Sequence, residues 1–172
     1  MSVKIGNDND RTLDGALRAL AGEPTTLTPG TAIGILAEHA VSDDDARATT
    51  KATNGLVSAL TKHPDPQVRV GAATALAAVP TPAAIRALRT TVDRTDDGQV
   101  LSAAAHALAS VGTRADLARI TRGSTRTGWE PGERRALAAA RLLSYRIGAA
   151  ADPSVLRLPG EERRVLSRPT RG

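Results

Sequence analysis

Histidines, two aspartate clusters and a recurring set of arginines are the side chains whose spacing in this chain could do chemistry. Catalysis needs titratable groups that converge and shift one another's pKa. His39 follows Glu38, but no second His lies one turn on to complete the zinc-binding pattern H-E-x-x-H. His63 precedes Pro64, reads as part of an interhelical turn and should be solvated; His106 sits among alanines at a helix edge. Asp43–Asp44–Asp45 and the set Asp93, Asp96, Asp97 invite a metal or acid/base role. Both fall where helices should begin, and there a carboxylate caps free N–H groups and meets the positive end of the helix dipole. The Asp93 to Gln99 stretch lacks the alternating oxygen ligands and the closing Glu of a calcium loop. No glycine-rich phosphate loop and no G-x-S-x-G elbow occurs. The absence of cysteine removes disulfides, thiolate metal sites and Cys nucleophiles together. Neither an enzyme nor a cofactor is expected.

The stronger constellation is basic. Lys62, Arg94 and Arg126 recur at a shift of 32, each near the end of an expected helix, and Arg86, Arg89, Arg119 and Arg122 lie on the same set of helices. Residues 1–113 hold ten Lys/Arg against twelve Asp/Glu, whereas residues 114–172 hold thirteen Arg against six. Such a surface neutralises phosphates or meets an acidic protein. Cations at helix C-termini also favour the dipole without any ligand. Trp129, alone in a loop of Gly, Ser, Thr and Arg, either covers the adjacent helix or anchors an interface.

These residues need elements to position them, and the elements follow from a repeat. Asp65, Val68, Ala72, Ala73, Ala75, Leu76, Ala77 and Val79 return 32 residues later as Asp97, Val100, Ala104, Ala105, Ala107, Leu108, Ala109 and Val111. A fixed period of this length marks stacked supersecondary units, none able to bury its apolar face alone. Aromatics make up 1% of the chain against 41% hydrophobic residues, so alanine and the aliphatics must fill the core. Alanine is also the best helix former, and the aromatic β-formers are nearly missing. The fold class is therefore all-α.

Asp65–Pro66 is an N-cap followed by proline at the first helical position, and that helix runs through Val79 to the Pro80–Thr81–Pro82 turn. A second helix carries Ile85, Leu88 and Val92. The next unit runs from Asp97 through Val111, stops at Gly112, and continues in a helix with Leu117 and Ile120. Leu56 and Leu60 precede Leu88 and Val92 by the same shift, which makes residues 46–62 the second helix of an earlier unit. A third first-helix is expected at a shift of 66, where Arg69, Ala72, Ala73, Leu76 and Val79 become Arg135, Ala138, Ala139, Leu142 and Tyr145. Upstream, Asp10 or Thr12 caps a short helix that ends at Gly22, and Pro29–Gly30 opens another carrying Ile33, Leu36, Ala37 and Ala40.

The string from Asp65 to Val79, with Thr81 to Leu88 after it, resembles the HEAT-like repeat, in the short variety named after phycobiliprotein lyases. The resemblance is clear over 63–121 and extends to 147. It implies an Asp and Arg pair, here Asp65 and Arg69, that helps hold neighbouring repeats together. The second copy keeps Asp97 but has Leu101 for the Arg, and the third keeps Arg135 but has Pro131 for the Asp, so the ladder is interrupted. Tetrapyrrole attachment does not follow, because the chain lacks the aromatics to sandwich a large conjugated ring. Nor does one loop Trp supply the aromatic and carboxylate groove of a HEAT-like DNA glycosylase.

The expected architecture is a short right-handed α-solenoid of HEAT-like helical hairpins. Residues 1–62 form divergent N-terminal hairpins or a cap, 63–158 the repeats (63–94, 95–126, 131–158), and 159–172 a basic tail. Such solenoids are mostly binding scaffolds. The expected function is a non-enzymatic adaptor or a structural subunit of a multi-subunit assembly. Its basic face, formed by Lys62, Arg86, Arg89, Arg94, Arg119, Arg122 and Arg126 with Trp129 beside it, would meet another protein with an acidic surface. The alternative is nucleic-acid binding through the same side. The N-terminus turns polar after five residues and no apolar run approaches 18, so neither a signal peptide nor a membrane partner is expected, and the location is cytoplasmic.

Overall fold

Threonine, aspartate and proline set where the helices begin. The computed structural model describes residues 12–42, 45–113 and 115–123, with Ala138 and Ala140 besides. Seven helices lie among the described residues: α1 (Leu13–Leu20), α2 (Pro29–Val41), α3 (Ala46–Lys62), α4 (Pro66–Leu76), α5 (Pro82–Arg94), α6 (Gly98–Val111) and α7 (Asp116–Gly123). Thr12, not Asp10, caps α1, its hydroxyl accepting from the Gly15 N–H at 3.3 Å. Thr28, Asp45, Asp65, Thr81 and Asp97 cap α2 to α6 in the same way. Each such cap contributes about 1 kcal/mol. Proline follows the cap in α2, α4 and α5, where its missing N–H leaves nothing unpaired. Gly22, at φ 79°, takes the left-handed turn after α1 that other residues resist.

The helices form two layers. In the first, α4 packs between α2 and α6; in the second, α5 packs between α3 and α7, and the layers meet where α3 lies on α2 and α4 and where α6 lies on α5 and α7. At the N-terminal end α1 packs against both α2 and α3. This is an all-α solenoid with one continuous core.

The core carries the 32-residue period. Val68, Ala72, Ala73 and Leu76 are buried, as are Val100, Ala104, Ala105 and Leu108, and the column Leu56, Leu88, Ile120 is fully buried in the second layer. Full burial of each Val, Leu or Ile stabilises by about 1.5–3 kcal/mol. Small residues bring neighbouring helices close. A Cβ on Gly55 would lie 2.5 Å from Leu17 Cδ2, and one on Gly71 would lie 3.0 Å from Ile33 Cδ1.

Three details differ from the sequence expectation. The α4 helix ends at Leu76, and Val79 is buried from the turn that follows. Ala138, which the shift of 66 pairs with fully buried Ala72, is exposed, while Ala140, paired with exposed Thr74, is fully buried. Asp93 does not begin a helix: it lies in the last turn of α5. Arg126, Trp129, Asp43, Asp44, most of the 131–158 unit and the 159–172 tail lie outside the described residues.

Candidate functional site

Charge divides by layer. The second-layer helices α3, α5 and α7 together carry eight Lys/Arg against Asp93 and Asp116. The first-layer helices α2, α4 and α6 carry only Arg69 and Glu38. The outward positions of the second layer recur with the repeat: Asn54 with Arg86, Ser58 with Thr90 and Arg122, and Lys62 with Arg94 are all exposed. Lys62 and Arg94 close α3 and α5, where their charge also offsets the negative end of the helix dipole. Lys62, Arg86 and Arg94, and Arg47 at the start of α3, make no ion pair with any other described residue.

Arg89 and Arg119 are placed differently from the face that the sequence assigned to them. Asp116, at the start of α7, is buried with 3% exposure. Its Oδ1 accepts from Arg89 Nε at 2.7 Å and its Oδ2 from Arg89 Nη2 at 2.8 Å, a bidentate pair between α5 and α7. The Thr113 backbone N–H and hydroxyl donate to Asp116 Oδ2 at 2.8 and 3.1 Å, so the same carboxylate closes the turn that leads into α7. Arg119 Nε lies 3.8 Å from Asp116 Oδ1, and Arg119 also pairs with Asp93. Both arginines are thus engaged within the chain. Their planar forks match a carboxylate in two directions, which is why Arg rather than Lys suits a half-buried pair.

Burial by itself pushes the Asp116 carboxyl up. The Arg89 hydrogen bonds, the two from Thr113 and the charge of Arg89 outweigh it and hold the group below the ordinary carboxylate range. Gly112 makes room for this arrangement: a Cβ there would meet Leu108 O at 2.4 Å and Asp116 Oδ2 at 3.0 Å. The sequence signal for Asp116 was present but faint. Thr113 and Asp116 stand three apart ahead of an apolar helix, as in a capping box.

The residues that invited catalytic readings are occupied locally. His106 Nδ1 lies 3.0 Å from the Ser102 carbonyl within α6. His63 is half-buried at the C-cap of α3, and its Nδ1 accepts from the Asp65 N–H at 3.1 Å. Among the described residues no group of three His, Asp or Glu side chains could hold a metal.

A model of HEAT repeats matches residues 53–144, more than half of the chain. The chain belongs to the HEAT-repeat family. No curated protein and no solved structure matches it. In HEAT-repeat terms the described ladder has one charged rung, and it runs between repeats: Arg69 of α4 reaches Asp97, the cap of α6, at 3.7 Å. A second, uncharged rung lies beside it, where Gln67 Nε2 donates to Gln99 Oε1 at 2.8 Å. Gln67 and Gln99 are one period apart.

Proposed function

We propose that this HEAT-repeat chain is a non-enzymatic binding scaffold, an adaptor or a structural subunit of a larger assembly. Its partner is a protein with an acidic surface. The observation that carries this reading is the segregation of charge: eight cations against two carboxylates on the second layer, both carboxylates already paired, and a first layer with one charge of each sign. Lys62, Arg86, Arg94 and Arg122 are the contact residues in this reading, joined by Arg47; Arg126 and Trp129 lie outside the described residues. Arg89 and Arg119 act on α7 through Asp116 and Asp93. Solenoids of this kind present extended surfaces built from repeated positions, and the fold alone names no partner. We assign the repeat units to 63–94 and 95–126 and the repeat to the short phycobiliprotein-lyase-type variety, supported by the shared burial of Val68/Val100 and Leu76/Leu108. The cytoplasm is the working location.

The test is capture of partners from the native host by wild type and by Lys62→Glu/Arg86→Glu/Arg94→Glu, followed by cross-linking to map contacts. Loss of capture with a cooperative melting transition retained is expected. Cross-links confined to the first layer would overturn the assignment. A parallel titration of duplex DNA and RNA against salt decides the other reading, because phosphate contacts make affinity fall steeply with salt.

A further inference from the structure

Between the first turns of α2 and α4 lies a cleft of about 330 Å³, open to solvent on one side. It is lined by Gly30 and Ile33 from α2 and by Asp65, Gln67 and Val68 from α4. The equivalent joint one repeat on, between α4 and α6, is bridged by two side chains of the earlier helix. Arg69, four residues after its cap, reaches the cap Asp97, and Gln67, two after the cap, reaches Gln99. In α2 the second residue after the cap Thr28 is Gly30 and the fourth is Ala32, with Ile33 beside it. Neither an amide nor a guanidinium is there to cross the joint, and the cleft lies where they would run.

The acceptors of that missing bridge remain. One Asp65 oxygen accepts from the Gln67 N–H at 2.8 Å, and the other has no partner among the described residues. Gln67 spends its amide N–H on Gln99, which leaves its carbonyl oxygen free to accept. The walls of Ile33, Val68 and Pro29 are apolar and suit the stem of a long side chain. We propose that this cleft receives an arginine side chain of a partner polypeptide, which completes the ladder in trans. The guanidinium donates to Asp65 and to the Gln67 carbonyl, as Arg69 approaches Asp97 within the chain. Arginine fits better than lysine because two acceptors at different places call for a planar, multi-donor head. The site lies on the first layer, apart from the basic second-layer face, and takes a partner group of opposite charge.

The experiment titrates the full, nitrogen-15-labelled chain with N-acetyl-arginine methylamide and follows the backbone amides of Gly30, Gln67 and Gly71. N-acetyl-citrulline methylamide, its neutral isostere, is the comparison. Saturable shifts of these amides are expected with the arginine probe, with binding roughly tenfold weaker for citrulline. Asp65→Asn keeps a good helix cap and removes the charge, so it should weaken the arginine probe by a similar factor while α4 stays helical. Gly30→Gln supplies the missing amide from α2; a Cβ at Gly30 meets nothing nearer than 4.0 Å, so the chain still folds. It should abolish the response and raise the melting temperature. Ala118→Gln, at an exposed position of α7, should leave the response unchanged. Absence of saturable shifts in wild type, equal binding of citrulline, or undiminished binding to Gly30→Gln would overturn the proposal.

Discussion

Asp116 brings the chain's electrostatics to one atom group. It is buried, yet Arg89 and Thr113 together aim four hydrogen bonds at it. Removing one partner of such a set leaves the others facing a weaker acceptor, and hydrogen bonds to charged groups are worth about 1.5–3 kcal/mol. Asp116→Asn should therefore lower unfolding stability by about 1.5–3 kcal/mol at pH 7, read by urea denaturation. The pH dependence has a definite sign. The folded carboxyl titrates below its unfolded value of about 3.9, so the unfolded chain binds more protons between the two values. The stabilisation is complete above the unfolded pKa and is lost as pH falls through the folded one. The gap between wild type and Asp116→Asn should accordingly hold from pH 7 to about 5 and close below about 4. A gap independent of pH would mean that shape, not charge, holds α7. Gly112→Ala should weaken the same corner by about 1–3 kcal/mol, because the added methyl meets the Leu108 carbonyl and the Asp116 carboxylate.

At the scale of elements, apolar packing outweighs the polar ladder. Arg69 and Asp97 are about a quarter exposed and 3.7 Å apart, so their pair should be worth under about 1 kcal/mol. A double-mutant cycle with Arg69→Met and Asp97→Asn, which keeps the α6 cap, should return a coupling energy below that value. Leu108→Ala, at 1% exposure, should cost about 2–5 kcal/mol. This contrast also explains what the sequence made legible. Helix starts at Pro29, Ala46 and Pro66 could be read because caps and prolines act locally, and the columns Val68/Val100 and Leu56/Leu88 because period translates directly into burial. The partners of Arg89 and Arg119 could not be read. Arg86 and Arg89 look alike in sequence, one turn apart on a helix, and only the rotation of α5 against α7 turns Arg89 toward Asp116 and leaves Arg86 in solvent. The cleft at α2 was hidden for a related reason: the spacing from α2 to α4 departs from 32, so no alignment of period shows that Gly30 stands where Gln67 stands in the next repeat.

Across the whole molecule, the division of charge sets function against stability. Eight cations on three adjacent helices repel one another, and neighbouring helix axes lie only about 8–10 Å apart, close to the Debye length of about 8 Å at physiological salt and well inside it at low salt. Arg89, Arg119 and Lys51 are offset by Asp116, Asp93 and Asp14. Lys62, Arg86 and Arg94 have no such offset among the described residues, and like charges gathered on one side destabilise a compact state. Two consequences follow for the melting transition at neutral pH. Raising salt from about 20 to 200 mM should raise the melting temperature of wild type, because screening relieves the repulsion more than it weakens the half-buried Asp116 pair. Arg47→Glu/Arg86→Glu, which puts no carboxylate at a helix C-terminus, should melt higher than wild type at low salt, by an amount worth about 0.5–1 kcal/mol, and the difference should shrink as salt is added. The same substitutions remove the charge that the proposed partner would meet. A variant that is more stable and binds less would show that the basic face is retained at a cost to the fold, as a binding surface is and a passive solvated edge is not. A variant less stable at every salt concentration would place these arginines among the groups that hold the solenoid together.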